Sequence, residues 1–151
     1  KGKIMNPNPN VFGPHFWFTL HSVSFFYPEY PTDTDMRIHK DFYESFAHVL
    51  PCDECKKHYR VLLTRYPIDG HLDSRDQLSR WVVFLHNQVN KRLGKRELPY
   101  DEVVNHYKYA YSINNGVADM TKQTKGILFG CAFMIISFIL YERIYMKKKI
   151  F

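Results

Sequence analysis

The sequence predicts an all-α fold: an antiparallel four-helix bundle with a short fifth helix, followed by a C-terminal transmembrane helix. Apolar residues recur at spacings of three and four over most of the chain, few stretches alternate as β-strands do, and proline or glycine separates the periodic segments. The 151 residues are 45% hydrophobic and 17% aromatic. This composition suits one compact domain and excludes a wholly disordered chain.

The first two helices are delimited by prolines. The first is predicted to open at Gly13 and Pro14, because proline suits the first helical turn, and to close before Pro28. The second is predicted over residues 33–50, where aromatic and aliphatic residues repeat at helical spacing until Pro51 interrupts them.

Three further helices follow. The third is predicted to start at the cysteines and to cover residues 52–66. Ser74 and Gln77 have the spacing of a capping box, so the fourth helix is expected to begin there and to stop near Gly94. The fifth is predicted over residues 99–111.

The C-terminal part predicts a membrane span. Residues 127–141 carry no charge and lack the polar stripe of a typical core helix, while the lysines at 147–149 resemble interfacial anchors. A buried core helix of the same length is the alternative. The predicted organisation is a helical domain over residues 5–113, a linker over 114–125, a transmembrane segment over 126–145 and a basic tail over 146–151.

The net charge of +6 does not by itself indicate nucleic-acid binding. Apart from the lysines at 147–149, the basic residues are scattered along the chain. We therefore expect no nucleic-acid partner.

Cys52 and Cys55 form the sharpest local motif. A CxxC pair in the first turn of a helix can close a disulfide, and the helix N-terminus favours a thiolate. The same spacing supplies half of a zinc site, so structural zinc and two inert thiols remain alternatives. The third cysteine, Cys131, lies in the apolar run and is interpreted as a packing residue. The candidate remaining zinc ligands are His58, His71, His86 and His106.

Two of the predicted helices, the first and the fourth, carry polar residues within otherwise apolar segments. In the fourth helix, His86 with Asn90 and Asn87 with Lys91 are each one turn apart, which fits either a solvated face or a ligand-binding edge. In the first helix, Trp17 and His21 are one turn apart, and each is ordinarily a core residue.

Three segments in this order, FGPHFWFTLH, LPCDECKKHYR and WVVFLHNQVNKRLGK, resemble the Erv/ALR family of FAD-dependent sulfhydryl oxidases over residues 12–111. The resemblance implies a bundle that holds FAD beside a redox-active CxxC disulfide and often pairs as a homodimer. A membrane-anchored binding module with a zinc-stapled helical core is the alternative function.

The resemblance also implies residue roles. Cys52 and Cys55 match the catalytic pair: a substrate thiolate attacks Cys52, and Cys55 passes two electrons through FAD to molecular oxygen, which gives hydrogen peroxide. The implied partners are a thiol-containing protein or a thioredoxin-like or glutaredoxin-like electron donor. No metal ligand is implied. The matching cofactor-binding positions are Gly13, Trp17, His21, Tyr27, His86, Asn87, Val89, Asn90, Lys91, Lys95 and Tyr107.

The chain departs from the family pattern at three points. Pro14 stands where many members have an arginine, so a phosphate contact is absent there. Gln77 and Tyr100 stand where many members have a structural disulfide, and a second CxxC is missing. These features resemble the compact members encoded by large DNA viruses.

The expected location is a membrane. The first twenty residues lack the apolar core of a signal peptide, and Met5 is expected to be the natural start after an extension of four residues. A single-pass, tail-anchored protein is therefore predicted, with its helical domain facing the cytosol or on a virion membrane. The basic tail leaves a lumenal orientation as the alternative.

Overall fold

The computed structural model describes residues 4–112, and within them it contains helices and no β-strand. Residues 4–104 belong to one compact unit, and residues 105–112 belong to a second. The elements are α1 (Pro9–Phe25), α2 (Asp33–Val49), α3 (Asp53–Arg65), a 3-10 helix (Ile68–His71), α4 (Arg75–Arg92) and α5 (residues 100–112). The all-helical prediction with four main helices and a fifth is confirmed for this part of the chain.

The start of α1 differs from its prediction. The helix begins at Pro9, about one turn before Gly13, and Pro14 lies inside it. Asn8 caps the helix by accepting a hydrogen bond from the Asn10 amide at 3.0 Å, and Pro9 occupies the favoured first position. Asn8 and Pro9 therefore set the start of α1.

The other helix starts agree with their sequence signals. Thr32 and Asp35 form a reciprocal capping box at α2, and Ser74 caps α4 by accepting from the Gln77 amide. Cys52 is the N-cap of α3. The 3-10 helix was not predicted, since its four residues are too few for an apolar periodicity.

Helix α1 packs against α4, and α2 packs against α3. Along α1 and α4, His21 contacts His86 while the carbonyl of Tyr27, just after α1, accepts from Arg75 at the start of α4. Between α2 and α3, Arg60 donates to the Ala47 carbonyl. Along α1 and α4 the contacts advance along one helix as they retreat along the other, so these two helices are antiparallel.

Buried aromatic side chains bind backbone carbonyls across the bundle. The Tyr43 hydroxyl donates to the Leu20 carbonyl at 2.8 Å and accordingly connects α2 to α1. The Tyr59 hydroxyl donates to the Tyr43 carbonyl at 3.1 Å and connects α3 to α2. Each ring fills the core while its polar tip is satisfied, which avoids the cost of burying an unpaired hydroxyl. The core around these rings consists of Leu20, Tyr27, Tyr43, Phe46, Ala47, Tyr59, Ile68, Leu72, Leu78, Trp81, Val82 and Leu85.

Tyr100 connects the start of α5 to α4 without a covalent bond. Its hydroxyl lies 2.7 Å from the Ser79 hydroxyl oxygen, and the Arg80 guanidinium stacks over its ring at 4.1 Å from the centroid. Tyr100 is one of the two positions at which the family resemblance places a structural disulfide. The chain therefore joins this end of α5 to α4 by a hydrogen bond and a cation–π contact.

The predicted linker, transmembrane segment and basic tail lie outside the described residues. Among residues 4–112, no helix combines the length and the apolar character that crossing a bilayer requires.

Replacing Tyr43 by phenylalanine should lower the free energy of unfolding by about 1 to 1.5 kcal/mol, because the ring stays but its hydrogen bond to α1 is lost. Tyr30, which is 92% exposed, provides the matched control. Tyr30→Phe should change stability by less than about 0.5 kcal/mol. Urea unfolding followed by circular dichroism measures both values, and equal stabilities of the two variants would contradict the prediction.

Candidate active site

Trp17 of α1 and His86 of α4 are stacked. Their ring centroids are 4.1 Å apart and their planes differ by 3°. The Nε2 atom of His21, one turn further along α1, lies 2.9 Å from Nδ1 of His86. Three of the predicted site residues from two distant parts of the sequence therefore form one cluster between α1 and α4.

The two histidines of this cluster are held in the neutral form. Burial, followed by the neighbouring His86, lowers the pKa of His21 to about 3. Burial, followed by the positive charge of Lys95, lowers the pKa of His86 to about 4. A neutral imidazole offers one donor and one acceptor nitrogen, so the bond between the rings needs no added proton. The influence of Lys95 also shows that its ammonium acts on this cluster.

The turn after α4 folds back onto the helix. Gly94 has a positive φ of 66°, and the Lys95 amide then donates to the Asn90 carbonyl at 2.9 Å. The Asn87 side chain binds both backbone groups of Leu98: its amide donates to the carbonyl at 2.8 Å, and its oxygen accepts from the N–H at 2.9 Å. Asn87 thus holds the segment that carries Lys95.

Cys52 and Cys55 lie at the start of α3, each partly exposed and neither in a disulfide. Sγ of Cys52 accepts from the Cys55 amide at 3.2 Å. The hydrogen bond from the Cys55 thiol is the largest of several causes that lower the pKa of Cys52. Burial, and then that same hydrogen bond, raise the pKa of Cys55 to about 11. Cys52 is therefore the thiolate-forming sulfur of the pair.

Arg92, in the last turn of α4, contacts α3 close to the cysteines. Its Nη1 lies 2.7 Å from Nε2 of His58, which follows Cys55 by one turn on α3. The charge of Arg92 also acts on the Cys55 thiol. Because an α-helix rises 1.5 Å per residue, Arg92 lies about 9 Å along α4 from His86. The segment that carries the CxxC pair is thus linked to the last turn of α4 through His58 and Arg92.

The remaining predicted cofactor positions are dispersed. Tyr27 is fully buried in the core, where its hydroxyl donates to the Leu72 carbonyl at 2.8 Å. Tyr107 lies on α5 in the second unit, and burial followed by the charge of Tyr111 raises its pKa. The others divide by exposure: Gly13 and Val89 are half-buried, Asn90 is buried, and Lys91 and Lys95 are exposed.

Two residues near the cysteines, Glu54 and Arg92, had not been singled out from the sequence. Glu54 Oε1 lies 3.1 Å from Nε2 of His58, and Arg92 approaches the same nitrogen. The spacing of Glu54 and His58 by four residues could have indicated their contact, but the approach of Arg92 depends on how α3 packs near α4. Among residues 4–112, no group of three or more His, Cys, Asp or Glu side chains is placed to hold a metal ion.

The sequence profile of the Erv1/Alr family matches residues 14–110, so the chain belongs to this family. A probable FAD-linked sulfhydryl oxidase of Acanthamoeba polyphaga mimivirus is 37% identical over 98 residues, which cover 64% of this chain and 68% of the relative. The mitochondrial FAD-linked sulfhydryl oxidase of Saccharomyces cerevisiae is 36% identical over 93 residues, 62% of this chain and 48% of the relative.

The fold is also similar to that of a solved structure. The crystal structure of the yeast Erv1 core superposes with a TM-score of 0.60 and 33% sequence identity, and the match covers 67% of this chain and 84% of that one. The all-helical bundle is therefore shared with a structurally characterised member of the family.

The low pKa values of His21 and His86 predict acid sensitivity. Unfolded histidine has a pKa of about 6.5, so between pH 6.5 and about 4 the unfolded chain binds protons that the folded chain excludes. The free energy of unfolding should therefore fall on acidification below pH 6.5, by up to about 1.4 kcal/mol per pH unit for each histidine.

Urea unfolding at several values between pH 7 and pH 5 measures this slope. His21→Gln should give a shallower slope than the unsubstituted chain, whereas His15→Gln, at an exposed position of α1, should leave it unchanged. Equal slopes for all three proteins would refute the assignment.

Proposed function

We infer that this protein is an FAD-linked sulfhydryl oxidase that forms disulfides in partner thiols through Cys52 and Cys55. The observation that carries this inference is the CxxC pair at the start of α3, in which Sγ of Cys52 accepts from the Cys55 amide and the pKa of Cys52 is lowered. Membership of the Erv1/Alr family, with relatives named FAD-linked sulfhydryl oxidases, supports it. FAD, when bound, takes two electrons from a dithiol and passes them to molecular oxygen, which yields hydrogen peroxide.

The residues between α1 and α4 fit FAD. Trp17 and His86 present parallel rings, which suit contact with a planar aromatic group. The exposed ammonium of Lys95 acts on the same cluster and complements a pyrophosphate. We propose that Lys91, Asn87 and Asn90 border this site, and Tyr107 is a further proposed cofactor position on the basis of the family resemblance. Gly13, His21, Tyr27 and Val89 complete the proposed cofactor-binding set.

The thiol chemistry begins at the more accessible end of the disulfide. A substrate thiolate attacks Sγ of Cys52, a new S–S bond forms, the bond between Cys52 and Cys55 breaks, and its electron pair goes to Sγ of Cys55. A second substrate thiolate then attacks the substrate sulfur of the mixed disulfide and releases Cys52 as a thiolate. The low pKa of Cys52 in the dithiol supports its role as this departing group.

The partners and the location are proposals from the sequence. The proposed substrate is a thiol-containing protein or a thioredoxin-like or glutaredoxin-like donor that meets Cys52 directly. We propose that residues 126–145 anchor the protein in a membrane, with the helical domain facing the cytosol or on a virion membrane; a lumenal orientation is the alternative. Pairing as a homodimer is proposed from the family resemblance.

Replacing Cys55 by serine should abolish dithiol-dependent oxygen consumption, to below about 1% of the original rate, because no internal disulfide can form. The variant should stay yellow, since the proposed FAD contacts do not include this thiol. Cys131→Ser is the matched control and should retain activity. An oxygen electrode and an absorption spectrum measure both properties, and a colourless preparation that contains zinc would instead support the zinc-stapled binding module.

Replacing Lys95 by glutamine should weaken FAD binding about tenfold, because one charge-assisted contact to phosphate is worth about 1.4 kcal/mol. Arg37→Gln removes the same charge from an exposed position on α2 and should leave FAD affinity unchanged. Titration of FAD into the deflavinated protein measures both constants. Equal affinities of the two variants would contradict the placement of the phosphates.

A further inference from the structure

A chain of three polar side chains runs from α4 to the first turns of α3. Nη1 of Arg92 lies 2.7 Å from Nε2 of His58, and Oε1 of Glu54 lies 3.1 Å from the same nitrogen. Nδ1 of His58 is buried with no hydrogen-bond partner among the described residues. Within that part of the chain, His58 therefore acts through Nε2.

The two neighbours of Nε2 require different protonation states. A guanidinium can only donate, so the contact with Arg92 requires a lone pair on Nε2, whereas a carboxylate can only accept, so a bond to Glu54 requires a proton there. The contact with Arg92 is the shorter of the two. The shorter contact thus assigns Nε2 of His58 as the acceptor for Arg92, and His58 holds the guanidinium near the start of α3.

Cys55 is the thiol nearest in sequence to the histidine that holds this guanidinium. His58 follows Cys55 by three residues, so the two side chains are neighbours on one face of α3. The positive charge of Arg92 lowers the pKa of the Cys55 thiol, against the larger effects of burial and of Cys52, which raise it. Arg92 therefore favours the thiolate of a sulfur whose burial disfavours it.

We propose that Arg92, positioned by His58, stabilises the Cys55 thiolate that leaves when a substrate thiolate opens the Cys52–Cys55 disulfide. This inference rests on the proposed function, in which the substrate attacks Cys52 and Cys55 is therefore the sulfur that leaves. In the mixed disulfide, Cys52 is bonded to the substrate and carries no negative charge. The hydrogen bond with the Cys52 thiol and the charge of Cys52, which both raise the pKa of Cys55 in the dithiol, are then absent. Burial still raises this pKa, and the charge of Arg92 lowers it. A thiolate of lower pKa leaves faster, so this charge accelerates disulfide opening.

The test measures the reactivity of Cys55 without turnover. In the full chain carrying Cys52→Ser, Cys55 has no thiol partner, as in the mixed disulfide. The rate of its alkylation by iodoacetamide at pH 8, followed by mass spectrometry of its peptide, is proportional to its thiolate fraction. The measurement needs neither oxygen nor a dithiol substrate. Its result can therefore contradict the role of Arg92 without contradicting the oxidase activity, and a lack of oxidase activity would not change its result.

Arg92→Gln should slow this alkylation about threefold to tenfold, which corresponds to a rise of about half a unit to one unit in the pKa. Arg92→Lys keeps the charge and should stay within about twofold of the parent rate. Arg96→Gln is the charge-matched control, since Arg96 is exposed and pairs with Glu102, and it should leave the rate unchanged.

The role of His58 is tested in the same background. His58→Gln retains an acceptor for Arg92 and should preserve the rate, whereas His58→Leu removes the acceptor and should slow alkylation in the same direction as Arg92→Gln. The effect of Arg92→Gln should shrink at high salt, because it arises from a charge. A parent-like rate for Arg92→Gln, an equal loss in Arg96→Gln, or a loss that does not change with salt would each overturn the proposal.

Discussion

The hydrogen bond between His21 and His86 is the interaction on which the site depends. It joins α1 to α4 at the position where Trp17 also stacks on His86, so one contact pairs the helices and sets the proposed flavin-facing surface. Burial keeps both rings neutral, and each neutral ring supplies what the other needs. A charged histidine here would be opposed by its neighbour and by Lys95. The packing of α1 against α4 therefore requires both histidines to be neutral, and the same packing keeps them neutral by burying them.

A second constraint acts at the start of α3, where one short segment caps a helix and carries the reactive sulfurs. Cys52, as N-cap, lies where backbone N–H groups favour a thiolate, while Cys55, one turn inside, is disfavoured as a thiolate by burial. The asymmetry gives the two sulfurs different roles without any difference in residue type. Arg92 of α4 contacts His58 of α3, and its positive charge lowers the pKa of Cys55. The packing of α4 near α3 therefore affects the reactivity of the CxxC pair.

Much of this could be predicted from local signals. Capping residues and prolines placed α2, α3 and α4 within one or two residues, because helix ends are set by side chains near in sequence. The start of α1 was predicted about a turn too late, since Gly13 and Pro14 resemble a helix start while Asn8 and Pro9 form the actual one. The contacts of the Asn87 side chain with both backbone groups of Leu98 could not be predicted, because they depend on the turn at Gly94.

The sequence by itself determined the helical class, most of the helix ends, the CxxC pair and the resemblance that indicates flavin chemistry, because these depend on residue type and short spacing. Only the tertiary structure decided which residues meet across helices. The stacking of Trp17 on His86, the burial that depresses both histidine pKa values, and the approach of Arg92 to His58 all require α4 to pack against other helices. Interactions between residues far apart in the chain are set by that packing, and no local spacing encodes them.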